Sequence, residues 1–211
     1  LPTDALERIQ NCCSWRHYDI VEYLDDSDDV FFIASGEVRV TLYSSSGRIV
    51  SLRDLGAGEV FGEYPAIDGG PRSASVEART RCAVASMPAG AFQELLATEP
   101  KVAQALLPQL VTKIRALTTR VYEFRTLAVK NRIQAELLRL ANLASREGKS
   151  ARIIPAPTHV EIASRVSTHR EAVTRELNRL CRIGIAERQG SALLVKDIER
   201  LAEMVHEATG E

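Results

Sequence analysis

The 211-residue sequence predicts an α+β chain in three parts: an N-terminal jelly-roll-like β-roll over residues 1–100, a long dimerisation helix over 101–128, and a C-terminal winged helix-turn-helix domain over 129–211. Three observations predict it. Between Trp15 and Met87 short β-rich runs alternate with Gly- and Ser-containing turns. From Leu107 onward apolar residues recur at steps of three and four. Residues 158–182 hold two helix starts around a tight turn, with a hairpin pattern beyond. At about 100–200 residues per domain, the length suits two small domains joined by a helix.

Composition narrows the class. Hydrophobic residues make up 45% and charged residues 26%, close to the globular average, so a disordered or fibrous chain is excluded. No run of 18 apolar residues is present, which excludes a transmembrane helix. Cys12, Cys13, Cys82 and Cys181 show no CxxC spacing. They read as free thiols in a reducing cytoplasm, and neither a zinc ligand set nor an iron–sulfur set is expected. The net charge of −1 hides an asymmetry. Residues 1–129 carry 13 Lys/Arg and 17 Asp/Glu, whereas residues 130–211 carry 14 and 11. Five arginines (165, 170, 175, 179 and 182) stand within 165–182 against Glu171 and Glu176, a concentration of positive charge that suits nucleic acid.

The elements follow in order. Residues 3–11 read as a short helix. Val30–Ile33, Val38–Tyr43, Ile49–Leu52, Val60-Phe61, Ser75–Ala78 and Ala83–Ala85 read as strands. Ser35-Gly36, Ser45-Ser46-Gly47, Gly56-Ala57-Gly58 and Asp68-Gly69-Gly70-Pro71 mark the turns. Many short strands at this spacing suggest a small barrel or jelly roll. Ala89–Thr98 reads as a short helix closed by Pro100. Leu107, Leu110, Ile114, Leu117, Val121, Phe124 and Ala128 then form an a/d seam over three heptads. That strict 3.5-residue period favours a partner helix, in a parallel homodimer, over packing on the chain's own barrel. A second helix spans about 130–146, the basic-polar stretch 147–151 ends it, and Ile153-Ile154 reads as a short strand. Helices over 158–164 and 168–182, a hairpin around Gln189-Gly190 and a last helix from Asp197 complete the chain.

The two short helices carry the sharpest local signal. Thr158-His159-Val160-Glu161 and Thr168-His169-Arg170-Glu171 both fit the T-x-x-E capping box, in which the Thr hydroxyl accepts the N3 N–H and the Glu reaches back to the N-cap N–H. Ile162, Ala163, Val166, Val173, Leu177, Leu180 and Cys181 supply an apolar inner face. Gly184 stands where a helix needs a left-handed residue past its end. On the second helix, Arg170, Thr174 and Arg175 occupy the exposed N-terminal half, where an arginine fork can bond guanine O6 and N7 in a major groove. Glu171 suits two roles equally: the second capping box, or acceptance of a hydrogen bond from cytosine N4. His159 and His169 read as surface residues near the DNA backbone, not metal ligands.

A second constellation lies in the β domain, over Phe61-Gly62-Glu63-Tyr64-Pro65 and Pro71-Arg72-Ser73-Ala74. A helix start near Pro65 offers free N–H groups to an anion. Arg72 adds a charged fork and Ser73 a hydroxyl, a set suited to one phosphate. Glu63 suits a ribose hydroxyl instead.

With these motifs in order, the chain resembles the bacterial cyclic AMP receptor protein (Crp/Fnr) family of transcription regulators over nearly its full length. Phe61-Gly62-Glu63 with Pro71-Arg72-Ser73-Ala74 resembles that family's phosphate-binding cassette. Val129-Lys130-Asn131-Arg132-Ile133 resembles its hinge, and Arg170-Glu171-x-Val173-x-Arg175 resembles the recognition helix of its cyclic AMP-responsive branch. The resemblance implies cyclic AMP, or cyclic GMP, as an allosteric effector and no metal. It implies that Arg72 and Ser73 hold the cyclic phosphate, Glu63 the ribose 2′-hydroxyl, and that Gly62 lets the backbone come close. Thr118 and Thr119 match the place where family members bond the purine. Thr168, His169, Arg170, Glu171, Thr174 and Arg175 would face DNA, with Arg170, Glu171 and Arg175 reading a half-site that contains a G·C pair. Tyr64-Pro65 departs from the smaller apolar pair usual after the cassette Glu, the cassette is slightly short, and Pro65 removes one N–H donor. The partners so implied are a second copy of the chain, palindromic double-stranded DNA and RNA polymerase, in the cytoplasm and away from any membrane. The alternative is a regulator of the same fold that answers to another effector. No nucleophile–base pair, P-loop or metal motif suggests an enzyme.

Overall fold

The computed structural model describes residues 9–24, 27–43 and 49–209. The Ser45-Ser46-Gly47 turn and most of the expected 3–11 helix lie outside these residues; residues 9–12 are helical. The chain divides into two compact units, Leu1–Ile114 and Arg115–Glu211.

The first unit is a β-roll of two antiparallel sheets. One has the order β1 (Ser14–Tyr18), β7 (Cys82–Met87), β2 (Val30–Ser35), β5 (Val60–Phe61). The other has the order β4 (Ile49–Leu55), β3 (Val38–Tyr43), β6 (Ser75–Ala78). β-branched and aromatic residues line their inner faces because they fit a pleated, half-buried surface. Phe31, Ile33, Val38, Leu55, Phe61, Ala78 and Val84 form one cluster. Phe31 and Phe61, directly opposite across β2 and β5, stack with ring centroids 4.9 Å apart. The register shifts between Val40 and Thr41, which face Arg53 and Ser51, so Leu52 is the extra residue of a bulge in β4. α1 (Glu63–Asp68) follows β5, and α2 (Ala89–Thr98) follows β7. A second cluster joins Val30, Val60, Ala66, Met87, Phe92 and Leu106.

α3 (Pro100–Thr126) is one continuous 27-residue helix that carries Pro108 inside it, and the boundary between the two units falls within it. The heptad seam needs two corrections. Leu110 packs against the second β-roll cluster, and Ala128 lies beyond the helix, as the extended N-cap of the next one. The exposed apolar face consists of Leu107, Val111, Ile114, Leu117, Val121 and Phe124.

The second unit opens with α4 (Val129–Leu143). That helix stops three residues short of the expected end, because residues 145–147 form a strand. β8 (Ser145–Glu147) pairs with β9 (Ser150–Ile153) in a hairpin turned at Gly148, φ +61°, where a polar stretch without strands was expected. α5 (His159–Arg165), α6 (Arg170–Arg182), β10 (Ala186–Gln189), β11 (Ala192–Val195) and α7 (Ile198–Thr209) follow, with sheet order β10-β11-β9-β8. One core gathers Ile133 and Leu137 of α4, Ile162 of α5, Val173, Leu177 and Leu180 of α6, and Leu201 of α7. This is the expected winged helix-turn-helix order, one hairpin richer.

Candidate functional site

The cassette is built around Gly62. Pairing of β5 with β2 sets the chain direction into it. Gly62 then takes φ +77° as the N-cap of α1. A Cβ there would lie 2.4 Å from Arg72 Nη1 and 2.7 Å from the Asp29 carbonyl oxygen, so only glycine fits. The helix begins at Glu63, two residues before the expected start near Pro65. Pro65 is therefore the third helical residue, and its missing N–H is one of those the helix would otherwise leave free.

Arg72 closes this loop from the other side. Its Nη1 donates to the Gly62 carbonyl at 3.0 Å, and its Nη2 donates to the Asp29 carbonyl at 2.5 Å and to the Ser27 carbonyl. The guanidinium also lies 5.7 Å from the Phe31 ring centroid. Gly62 and Arg72, ten residues apart, thus come into direct contact. Ser73 is exposed one residue on.

Glu63 turns inward. Its carboxylate is 2% exposed and pairs through Oε1 with the Lys113 ammonium, itself 9% exposed. Lys113 also donates to the Val60 carbonyl at 3.0 Å. Tyr64 covers this pair, with Lys113 Nζ 5.6 Å from its ring centroid. Burial, then the neighbouring Glu63 carboxylate, raises the Tyr64 phenol above its ordinary value, and Arg53 offsets this in part. In the sequence Lys113 is one polar residue beside the seam. The signal was a second stripe: Leu106, Leu110 and Lys113 recur at i, i+4 and i+7, and these three turn into the β-roll. Thr118 and Thr119 are exposed on the part of α3 that belongs to the second unit.

The helix-turn-helix differs from expectation at one cap. The first capping box is present: Glu161 N–H donates to Thr158 Oγ1 at 3.1 Å, and Thr158 N–H donates to Glu161 Oε2 at 2.8 Å. The second box does not form. α6 starts at Arg170 behind an N-cap His169 that makes no side-chain cap bond. Thr168 instead closes the turn, its N–H donating to the Ala163 carbonyl at 3.0 Å. Glu171, released from capping, is exposed beside Arg170 and Arg175. At the far end Ile185 N–H donates to the Leu180 carbonyl at 3.0 Å and Gly184 N–H to the Cys181 carbonyl at 3.1 Å, around a Gly184 at φ +78°. That is a Schellman closure.

One of the five arginines leaves the positive face, and a second is paired along its own helix. Arg165 is buried and pairs with Glu136 at 3.2 Å. Arg179 holds Glu176, through Nε at 2.9 Å and Nη2 at 2.7 Å. Arg170, Arg175 and Arg182 remain exposed, as does Arg188 on the β10–β11 hairpin. Thr174 Oγ1 donates to the Arg170 carbonyl at 3.0 Å and meets His159 Nδ1 at 2.7 Å. Burial, then the charges of Arg188 and Arg170, pushes the His159 imidazole below its ordinary value. A neutral ring protonated at Nδ1 donates to Thr174 and fixes its rotamer.

Comparison with known proteins decides the family. Residues 19–99 match the family description "Cyclic nucleotide-binding domain", and residues 131–204 match "Crp-like helix-turn-helix domain". A CRP-like cAMP-activated global transcriptional regulator of Mycobacterium tuberculosis is 30% identical over 179 residues, 84% of this chain and 80% of the relative. The chain belongs to the Crp/Fnr family. The cAMP-activated global transcriptional regulator Vfr of Pseudomonas aeruginosa is 27% identical over 90% of this chain and 92% of its own. The fold is shared with the c-di-GMP responsive regulator CLP of Xanthomonas campestris, at a TM-score of 0.80 and 22% identity over 92% of this chain and 99% of that one. Crp/Fnr members are transcription regulators, not enzymes, and this one combines a cyclic nucleotide-binding domain with a DNA-binding helix-turn-helix. Among the described residues no helix is long and apolar enough to cross a membrane. The β5–α1 junction with Arg72 lies within the stretch matched to the cyclic nucleotide-binding domain, and α6 lies within the stretch matched to the helix-turn-helix domain.

Proposed function

We propose that this chain is a homodimeric, cytoplasmic regulator gated by a cyclic nucleotide, cyclic AMP or cyclic GMP. The observation that carries the reading is the contact of Arg72 with Gly62, which sets a cationic fork against a left-handed glycine at the start of α1. On binding, Arg72 exchanges backbone carbonyls for the cyclic phosphate, a stronger charge-assisted partner. Ser73 adds its hydroxyl and Tyr64 borders the site. A carboxylate offers about four lone-pair positions, so Glu63 can hold Lys113 and still accept a ribose hydroxyl. Thr118 and Thr119 bond the purine. The effector acts through α3 and the hinge at 127–131, setting both recognition helices on successive major grooves of a palindrome about 34 Å apart. Arg170, Glu171 and Arg175 then read bases, while Thr168, His169 and Thr174 lie along the backbone. RNA polymerase is the further partner in this scheme.

Calorimetric titration with each nucleotide, and anisotropy on a palindromic duplex at fixed salt, test this reading. The expected results are saturable binding, lost by roughly 10- to 150-fold in Arg72→Ala, and tighter DNA binding with nucleotide present. Tight binding kept by Arg72→Ala would place the phosphate elsewhere. No binding of either nucleotide would leave the family fold answering to another effector.

A further inference from the structure

A buried ionic cluster in the second unit has no part in the cassette or the DNA-reading face. Its centre is Glu136 of α4, 1% exposed. Three arginines converge on it: Arg120 of α3 through Nη2 at 3.1 Å, Arg165 of α5 through Nη1 at 3.2 Å, and Arg139, one turn further along α4. Arg139 also grips both carboxylate oxygens of Glu123 on α3, at 2.6 and 2.7 Å. Arg120 gives its other arm to the backbone, with Nη1 donating to the Arg165 carbonyl at 2.6 Å. That carbonyl ends α5, directly before Val166-Ser167-Thr168, the turn into α6. Ser167 in that turn holds φ +48°, so the backbone there has little freedom to absorb a displacement.

α4 passes the contact on to the reading helix through a second buried group. Gln134, 2% exposed, donates through Nε2 to Glu176 Oε1 of α6 at 2.6 Å. One helix therefore carries Glu136 toward α3 and α5, and Gln134 toward α6. An apolar seam would hold these helices together at least as well, because burying charges costs much of what their attraction returns. The ionic arrangement adds geometry. A guanidinium is a planar fork of fixed span, so its two acceptors are held at one separation and one angle.

We infer that Arg120 is a positioning residue for DNA reading: by bridging Glu136 and the Arg165 carbonyl it ties α3 to the helix-turn-helix turn, and so to the direction of α6. The inference rests on the reading that a nucleotide acts through α3. Arg120 follows Thr118 and Thr119 directly, so a turn of α3 at those residues moves its fork. The fork then keeps both acceptors only if α5 moves with α3; otherwise it loses one. A two-state contact of this kind converts a small shift of one element into a reorientation of the next.

The test compares wild-type protein with Arg120→Lys and Arg120→Gln by anisotropy. The probe is a palindromic duplex selected from a random pool by the wild type, with and without saturating cyclic AMP and, separately, cyclic GMP. Nucleotide affinity without DNA is measured by calorimetry, and thermal midpoints are recorded. Arg120→Lys keeps a positive charge for Glu136 but replaces the planar two-armed fork by a single ammonium on a flexible stem, and its thermal midpoint checks that it folds. It is expected to bind nucleotide as the wild type does, while the nucleotide-induced gain in DNA affinity, about 5- to 150-fold for a typical coupling, falls about tenfold or to nothing. Arg120→Gln should lose the gain as well, at lower stability. A full gain in Arg120→Lys overturns the bridging role. A wild type that gains nothing from either nucleotide overturns instead the reading on which it rests.

Discussion

Lys113 changes what Glu63 is. Read along the chain, Glu63 is an acid beside a glycine loop, and Lys113 is one of many charges on a helix 50 residues away. In the fold they share one buried pocket with the Val60 carbonyl. Such a pair is tolerated because each charge compensates the other, and its stability contribution is therefore lopsided: the pair adds little, and half of it costs much. Lys113→Met should lower unfolding free energy by about 3–5 kcal/mol in urea titrations, because it strands a buried carboxylate. Adding Glu63→Gln to the same chain should recover most of that loss. A single-variant cost below about 1 kcal/mol would mean that water reaches the carboxylate. The reason sequence reading missed Lys113 is that a lysine on an amphipathic helix is normally solvated. Nothing local distinguishes this one except its place in the Leu106–Leu110 stripe.

At the scale of elements, the two T-x-x-E motifs look alike and behave differently. The α5 motif forms its reciprocal pair of bonds, whereas at α6 the chain is still turning at Thr168 and the helix starts one residue later than the box requires. Glu161→Ala should cost about 1 kcal/mol of thermal stability by losing a cap. Glu171→Ala should stay within about 0.5 kcal/mol of wild type, as an exposed residue does, and should change base preference instead. Equal destabilisation by the two would restore the capping role of Glu171. The same pattern holds elsewhere. The strands over 38–43, 60–61 and 75–78 and the helix over 89–98 were legible because turn residues bracket them on both sides. The β8–β9 hairpin was not, since Ser145-Arg146-Glu147 has no strand composition and is held as a strand only by its partner.

At the scale of the whole molecule, α3 presents Leu107, Val111, Ile114, Leu117 and Val121, each between 47% and 61% exposed. A continuous apolar stripe of this length is unusual for a surface that faces water alone. A second copy of α3 is the occupant that its near-heptad spacing fits. Burial of one Leu-sized side chain contributes roughly 1.5–3 kcal/mol, so Ile114→Asp combined with Val121→Asp should give monomers in sedimentation experiments. A wild-type protein that sediments as a monomer at micromolar concentration would sink the dimer.

The order of the elements, the change from β-roll to helix to winged helix-turn-helix and the Schellman end of α6 were all determined by the sequence itself. Each rests on short-range physics: periodicity, capping and the conformational range of glycine act within a few residues, and so can be read within a few residues. Tertiary structure alone decided which charges face water. Arg165 leaves the positive face for Glu136, Lys113 finds Glu63, and Leu110 turns from the seam into the β-roll. For the charges the reason is desolvation. A charge enters the interior only where an opposite charge already waits. Glu136 waits for Arg165 29 residues away, and Glu63 for Lys113 50 residues away, separations over which the sequence carries no local pattern.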